Sequence, residues 1–342
     1  MKEESMASSE SLIDQRDSYS KKRLEGLRSR LKELPETAAF PGLTIIGAGS
    51  FARLEGSEHS DIDLFFFCDK PKSEIIDPRT KELSLFGKLI GLNEELGFPP
   101  FSADSKFLEV MYIEDIAVSL GSPLDDHHNF FTARMLLLLE SKCLYNNDGY
   151  VTVVEKIISY YYRDYPKHPV EFFPTFLLND ITRYWKTILL NYENKRSLSQ
   201  GEHSEHSEDR KIKHKIKNFK LKFSRMTTCF ASIAAIGSFQ DIITEEKIKE
   251  LVFVTPRGRL NIVCQNIPNL KSKVEEILKA YEWFIEKTGL SSEELEKAFH
   301  DKQNRDDFFE KADNYGLLMY EFLDSIDHEL NRKQKLIRRL VI

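Results

Sequence analysis

Cysteine, glycine and proline are all scarce in this chain, and each scarcity removes a class of protein. The four cysteines, at 68, 143, 229 and 264, never fall in C-x-x-C spacing, which excludes a zinc ribbon or a dithiol redox motif. Cys68 and Cys143 stand beside apolar runs and read as small core residues. With 15 glycines and 12 prolines in 342 residues, collagen-like and Pro/Gly-rich disordered classes are excluded too. No stretch approaches the roughly eighteen apolar residues that would span a membrane. The opening MKEESMASSESLIDQRDSYSKKR carries no apolar core of a secretion signal, so a cytoplasmic protein without a membrane partner is expected. An excess of positive charge is also missing. A formal net charge of -6 argues against a chain that coats nucleic acid through bulk electrostatics, while leaving room for a local basic patch.

What is present divides into two regions of different character. Residues 1–35 read as a polar, flexible start and a charged helix over Leu12–Leu34, ended by Pro35. Apolar runs at Leu43–Gly47, Asp61–Cys68 and Phe107–Tyr112 predict three strands. A helix over Thr80–Leu96 precedes Gly97 and Pro99-Pro100, and another covers Asn129–Ser141. After residue 145 the pattern is helical alone. Positions 177, 178, 181, 185, 188, 189 and 192 form one apolar stripe, and 274, 277, 278, 281, 284 and 285 form a second. Ser291 and Glu294 are spaced as a capping box. The segment 194–209 reads as a polar loop. The expected fold class is α+β: a mixed β-sheet flanked by helices over 36–145, then an all-α bundle over 146–342.

The stretch TIIGAGSFARLEGSEHSDIDLFFF (44–67) admits two chemistries. An apolar strand running into Gly47-Ala48-Gly49-Ser50, with Asp69 downstream, has the outline of a dinucleotide fingerprint. That fold needs a packed helix before the next strand, in a unit of about thirty residues. SFARLEGSEHS is too short and too polar to be that helix, and the third glycine is absent. The second chemistry accounts for more of the residues. Asp61 and Asp63 flank Ile62, and strand residues two apart share a face. Two carboxylates held close are costly unless a cation joins them, and oxygen ligands suit Mg²⁺ or Mn²⁺. Gly49 lets the backbone approach a phosphate, and Ser50 can donate to it.

Gly-Ser, a ten-residue spacer and Asp-hydrophobic-Asp-hydrophobic together resemble the signature of the polymerase β-like nucleotidyltransferase superfamily. FLEVMYIEDI, followed by an acidic connection and a helix bearing Arg134, is similar in order to the catalytic region of bacterial PII-protein uridylyltransferases. Uncharacterised bacterial nucleotidyltransferase-like proteins with a helical partner domain look closer still. The resemblance covers roughly residues 40–146. It implies a two-metal enzyme that moves a nucleoside monophosphate from an NTP to a hydroxyl of a protein or RNA acceptor. Asp61, Asp63 and Glu109 would be its catalytic, metal-holding acids, and the helical region would close the cleft. Glu109 sits inside the apolar strand pattern and is preferred over Asp104, Glu114 and Asp115 as the third acid. Gly49, Ser50, Arg53 and Ser60 would contact phosphates. A non-catalytic nucleotide-binding regulatory module on the same fold is the alternative, and a small-molecule acceptor ranks below protein or RNA.

Other residues carry two readings each. Arg134, in an apolar helix, needs an anionic partner, either a structural carboxylate or a nucleotide phosphate. Asn179, Arg183 and Lys186 share a helical face that could meet the base or ribose, or be a wet surface with an Asp180–Arg183 pair. DDHHNF (125–130) reads as a helix start with acids facing the dipole rather than a metal site. DRKIKHKIKNFKLKFSR (209–225) carries eight Lys/Arg against one Asp. It reads as an amphipathic helix seated on Ile212, Ile216, Phe219 and Phe223, whose basic face over 210–225 could contact RNA.

Overall fold

The structure, a computed structural model, describes residues 11–101, 108–170, 172–200, 207–330 and 335–341. Phe107, Asp104 and the middle of the 194–209 segment lie outside the described residues. In chain order, helix α1 (Leu12–Glu33) precedes strands β1 (Leu43–Ala48) and β2 (Asp63–Cys68). Helix α2 (Pro78–Glu95), strand β3 (Val110–Tyr112), helix α3 (Phe130–Leu139) and strand β4 (Lys142–Tyr145) follow. The sheet order is β3-β2-β1-β4, with β1 antiparallel to both neighbours and β2 parallel to β3, hence mixed.

Both faces of the sheet are covered, which is why its strands read as continuous apolar runs rather than alternating ones. Alternation still decides which side chain goes where. Ile45, Leu64, Phe66, Val110 and Tyr112 pack under α1 and α2, against Leu24, Leu27, Leu31, Leu85 and Leu89. Ile46, Ala48, Phe65, Phe67 and Met111 face the other way and share one core with the C-terminal helices. By the same parity, Asp61 and Asp63 fall on the side of the helical region, while Ile62 and Leu64 go under α1 and α2.

The helical region comprises α4 (Asn147–Tyr161), α5 (Thr175–Gln200), α6 (Ser207–Lys220), α7 (Met226–Ser238), α8 (Glu245–Phe253), α9 (Pro256–Asn266), α10 (Lys271–Lys287), α11 (Ser292–His300) and α12 (Lys302–Glu329). The two apolar stripes are its core contacts, with Leu177, Leu178, Ile181, Val274, Ile277, Tyr281, Phe284 and Ile285 all buried. Ser291 and Glu294 make the capping box at the start of α11. An N-terminal mixed sheet flanked by helices and followed by a helical bundle is the architecture expected from the sequence. Among the described residues, no helix is long and apolar enough to cross a membrane.

Four local expectations need correction. A short fourth strand, β4, follows α3 directly and was hidden by its brevity and by the preceding leucine run. β2 starts at Asp63, so Asp61 stands in the approach to the strand rather than within it. Helix, not loop, fills residues 194–200 and 207–209. The last concerns α1, read as a charged helix, whose Leu24, Leu27 and Leu31 are buried on the sheet.

Candidate functional site

One cavity of about 270 Å³ collects the residues of the opening motif. It is lined by Gly49, Ser50, Arg53, Ser57, Ser60, Asp61 and Asp63 on one side. Lys220, Ser224 and Arg225, together with Phe284, Ile285, Thr288, Leu290 and Leu295, face them from the helical region. That volume is near the lower bound for small-molecule sites, roughly 300 Å³.

The Gly-Ser turn is shaped by Asp63. Gly49 has φ +73, in the left-handed region that favours glycine, and a Cβ there would lie 2.8 Å from Asp63 Oδ2. The β1–β2 register sets Ala48 opposite Asp63, so the strand pairing delivers the carboxylate to the turn. Gly49→Ala is therefore expected to destabilise the fold by about 1–2 kcal/mol, from left-handed backbone and carboxylate displacement together. Chemical denaturation of native and variant chains measures it.

Burial raises the Asp61 pKa above the ordinary carboxylate range, and the neighbouring Asp63 charge raises it further. Backbone hydrogen bonding, Lys220 and Arg225 oppose that rise. The pair is thus an acidic focus that a cation would relieve. Among the described residues, no group of three or more His, Cys, Asp or Glu side chains is placed to hold a metal. Glu109 precedes β3, is exposed, and does not line the cavity. Asp61 and Asp63 alone fit one Mg²⁺, which characteristically takes one or two carboxylates and completes its shell with water and phosphate oxygens.

Arg53 lines the cavity but is held by carboxylates rather than free for a phosphate. Its Nε donates to Glu55 Oε2 at 2.8 Å and its Nη1 to Glu140 Oε2 at 2.6 Å. Tyr281 donates its hydroxyl to the same Glu55 oxygen at 2.9 Å. Glu140, fully buried, accepts from Thr228 at 3.2 Å and pairs with Arg225. This hub ties the phosphate-side turn to α7 and α10. Burial pushes the Arg225 pKa down to about 10, with Arg53 adding to the fall and Asp63 resisting it.

Lys220 and Arg225 escaped the sequence reading for a geometric reason. Residues five apart on an α-helix diverge by about 140°. Leu221–Arg225 forms a π turn, whose i→i+5 bonding brings such residues back toward one face. The exposed Lys220 and the partly buried Arg225 thereby both reach the cavity. Desolvation lowers the Lys220 pKa against the pull of Asp61. As expected, Ile212, Ile216, Phe219 and Phe223 seat this basic segment on the core.

Three of the anticipated nucleotide contacts lie elsewhere. Arg134 is fully buried, with Nη1 and Nη2 on Asp125 at 2.8 and 3.0 Å, and Nη2 on Asp180 at 3.1 Å. Its Nε donates to Tyr161 Oη at 2.7 Å, and that hydroxyl donates onward to Asp180 at 2.8 Å. Burial opposes the Arg134 charge, but Asp125, Tyr161 and Asp180 outweigh it and hold the guanidinium above its ordinary value. Its partners are structural carboxylates, which also absorb Asp125 of the DDHHNF segment. Arg183 pairs with Asp126 at 2.6 Å and lies 4.0 Å over the Phe131 ring. Lys186 is exposed, and neither it nor Arg183 lines the cavity. The helical wall of the site is supplied instead by the π turn and by residues 284–295.

Comparisons with known protein families, with curated proteins and with solved structures gave no match to this chain.

Proposed function

We propose that this cavity transfers a nucleoside monophosphate from an NTP to an acceptor hydroxyl. The observation that carries the reading is the convergence, on one cavity, of Asp61 and Asp63, the Gly49-Ser50 turn, and the cations Lys220 and Arg225. Mg²⁺ or Mn²⁺ held by Asp61 and Asp63 supplies, when bound, charge neutralisation for a triphosphate. Gly49 admits the phosphate to close backbone approach, and Ser50 donates to it. Lys220 and Arg225 face the negative charge that grows on the departing pyrophosphate. Phe284, Ile285, Leu290 and Leu295 offer the apolar wall against which a base would lie. Glu55 and Glu140 hold Arg53 and Arg225 in place. Glu109 does not line the cavity, and the proton of the acceptor hydroxyl passes to solvent water as the O–P bond forms.

The acceptor in this reading is a hydroxyl of a protein or an RNA. Lys211, Lys213 and Lys217 are exposed on α6, which ends at the cavity rim. An RNA acceptor would use that face, with affinity falling steeply as salt rises and lost on neutralising those three lysines. One observation favours the second reading, a nucleotide-binding module without transfer: among the described residues no third acidic side chain is placed with Asp61 and Asp63 to hold a metal. Incubation of the chain with each α-labelled NTP, Mg²⁺ or Mn²⁺ and cell lysate, followed by separation of protein from RNA, decides between them. Covalent label from one NTP supports transfer and names the acceptor class. Saturable NTP binding without covalent label supports the binding module, and neither result with any NTP removes both.

A further inference from the structure

Helix α2 buries Leu85, Phe86, Leu89 and Leu92 on the sheet and turns its opposite side to solvent. That outer side carries two exposed apolar side chains, Leu83 at 57% and Ile90 at 42%. Beside them lie Gly87 and Gly91, and a Cβ added at either would meet nothing within 4 Å. Glycine inside a helix costs about 1 kcal/mol relative to alanine, and no packing within the chain accounts for these two. The charge also opposes the helix's own dipole. Glu94 sits at its carboxyl end beside Glu95, which Arg30 engages at 2.6 and 2.8 Å, while its first turn holds no acid and its last turn no base.

A second copy of the chain laid antiparallel on this face would account for all three features. We propose that the protein forms a twofold-symmetric dimer through the outer face of α2, with Gly87 at the axis. At about 100° per residue, Thr80, Leu83, Gly87, Gly91 and Glu94 fall in one stripe. Antiparallel pairing about Gly87 sets Leu83 of each copy against Ile90 of the other, and Ser84 against Gly91. The Thr80 hydroxyl of each copy then reaches the Glu94 carboxylate of the other. The two missing side chains let the helix axes approach toward the short end of the usual 8–10 Å range. The acidic carboxyl end of each helix lies beside the positive amino end of the other, which relieves the unfavourable dipole contact. Such a contact is isologous and closes at two copies. It uses the side of the sheet away from Asp61 and Asp63, so it stands or falls independently of the proposed chemistry.

Sedimentation equilibrium on the full chain tests this. The native protein is expected to dimerise below about 100 µM, a modest affinity for a single helix-pair contact. Leu83→Glu with Ile90→Glu sets like charges across each contact and should weaken the dimer about thirtyfold or more, with the circular dichroism spectrum unchanged. Leu83→Glu with Ile90→Lys sets opposite charges there and should recover much of the loss. Gly87→Ala with Gly91→Ala should raise the melting temperature of the monomer while weakening the dimer. A native chain that stays monomeric, a dimer indifferent to the paired glutamates, or no recovery with the charge pair would each overturn the proposal.

Discussion

Asp61→Asn with Asp63→Asn is expected to lower nucleotidyl transfer by about 10³-fold or more, the scale seen when the main electrostatic support of a transition state is removed. The fold should survive and become more robust at neutral pH. The sign follows from the direction of the Asp61 shift. Its folded-state pKa is raised, by burial first and by Asp63 second. Near and just above the ordinary Asp range, the folded chain therefore holds a proton that the unfolded chain has lost. Its contribution to stability is present at low pH and declines as pH rises through the raised pKa. An asparagine cannot ionise, so the variant should lose this decline. Melting temperatures of native and variant chains across pH 4 to 7, roughly the window of a raised carboxylate, measure it. Added Mg²⁺ should raise the melting temperature of the native chain and leave the variant unmoved. A native chain whose stability ignores Mg²⁺ with NTP present would count against Asp61 and Asp63 as the metal ligands.

Arg134→Met should give the largest loss of stability, about 3–5 kcal/mol, because it strands Asp125 and Asp180 in the interior. Asp125 is fully buried and Asp180 nearly so, and Arg134, which also orders the Tyr161 hydroxyl, gives both their shortest ion pairs, while Arg183 stands farther off at 3.9 and 3.8 Å. The penalty is for the uncompensated charges rather than for losing a strong bond. A triple variant that also carries Asp125→Asn and Asp180→Asn should therefore recover a large part of it. Denaturant unfolding of the three proteins separates the two causes. If the triple variant is no more stable than Arg134→Met, packing rather than charge is what Arg134 contributes.

The parts of this molecule that were readable beforehand are those whose reasons are local. The β1 and β2 runs, the α5 and α10 stripes and the Ser291 cap depend on neighbours within a turn or two. Asp61 and Asp63 were found because side chains two apart share a face, and that parity holds even though Asp61 stands just before the strand. Glu109 misled for a related reason. The apolar pattern around it continues, but pairing with β2 begins at Val110, and the side chain before it is left in solvent. Arg134 announced that it needed an anion, yet its partners are nine residues earlier and 46 later, and only tertiary packing chooses them. Arg53, Glu55, Glu140 and Tyr281 form their hub across distances in sequence that no spacing rule covers. The π turn is the clearest case. Lys220 and Arg225 were visible as part of a basic run, but an α-helical reading sends them to different faces, and one non-α turn brings both to the cavity.

The central claim is that Asp61 and Asp63, facing Lys220 and Arg225 across one cavity, form a nucleotidyl-transfer site. Its most direct test measures covalent transfer of α-labelled nucleotide, with Mg²⁺ and acceptor, by the native chain, Asp61→Asn with Asp63→Asn, and Lys220→Met. The account predicts label from the native chain, none from the double asparagine variant, and strongly reduced transfer from Lys220→Met. Undiminished labelling by the double asparagine variant would contradict it.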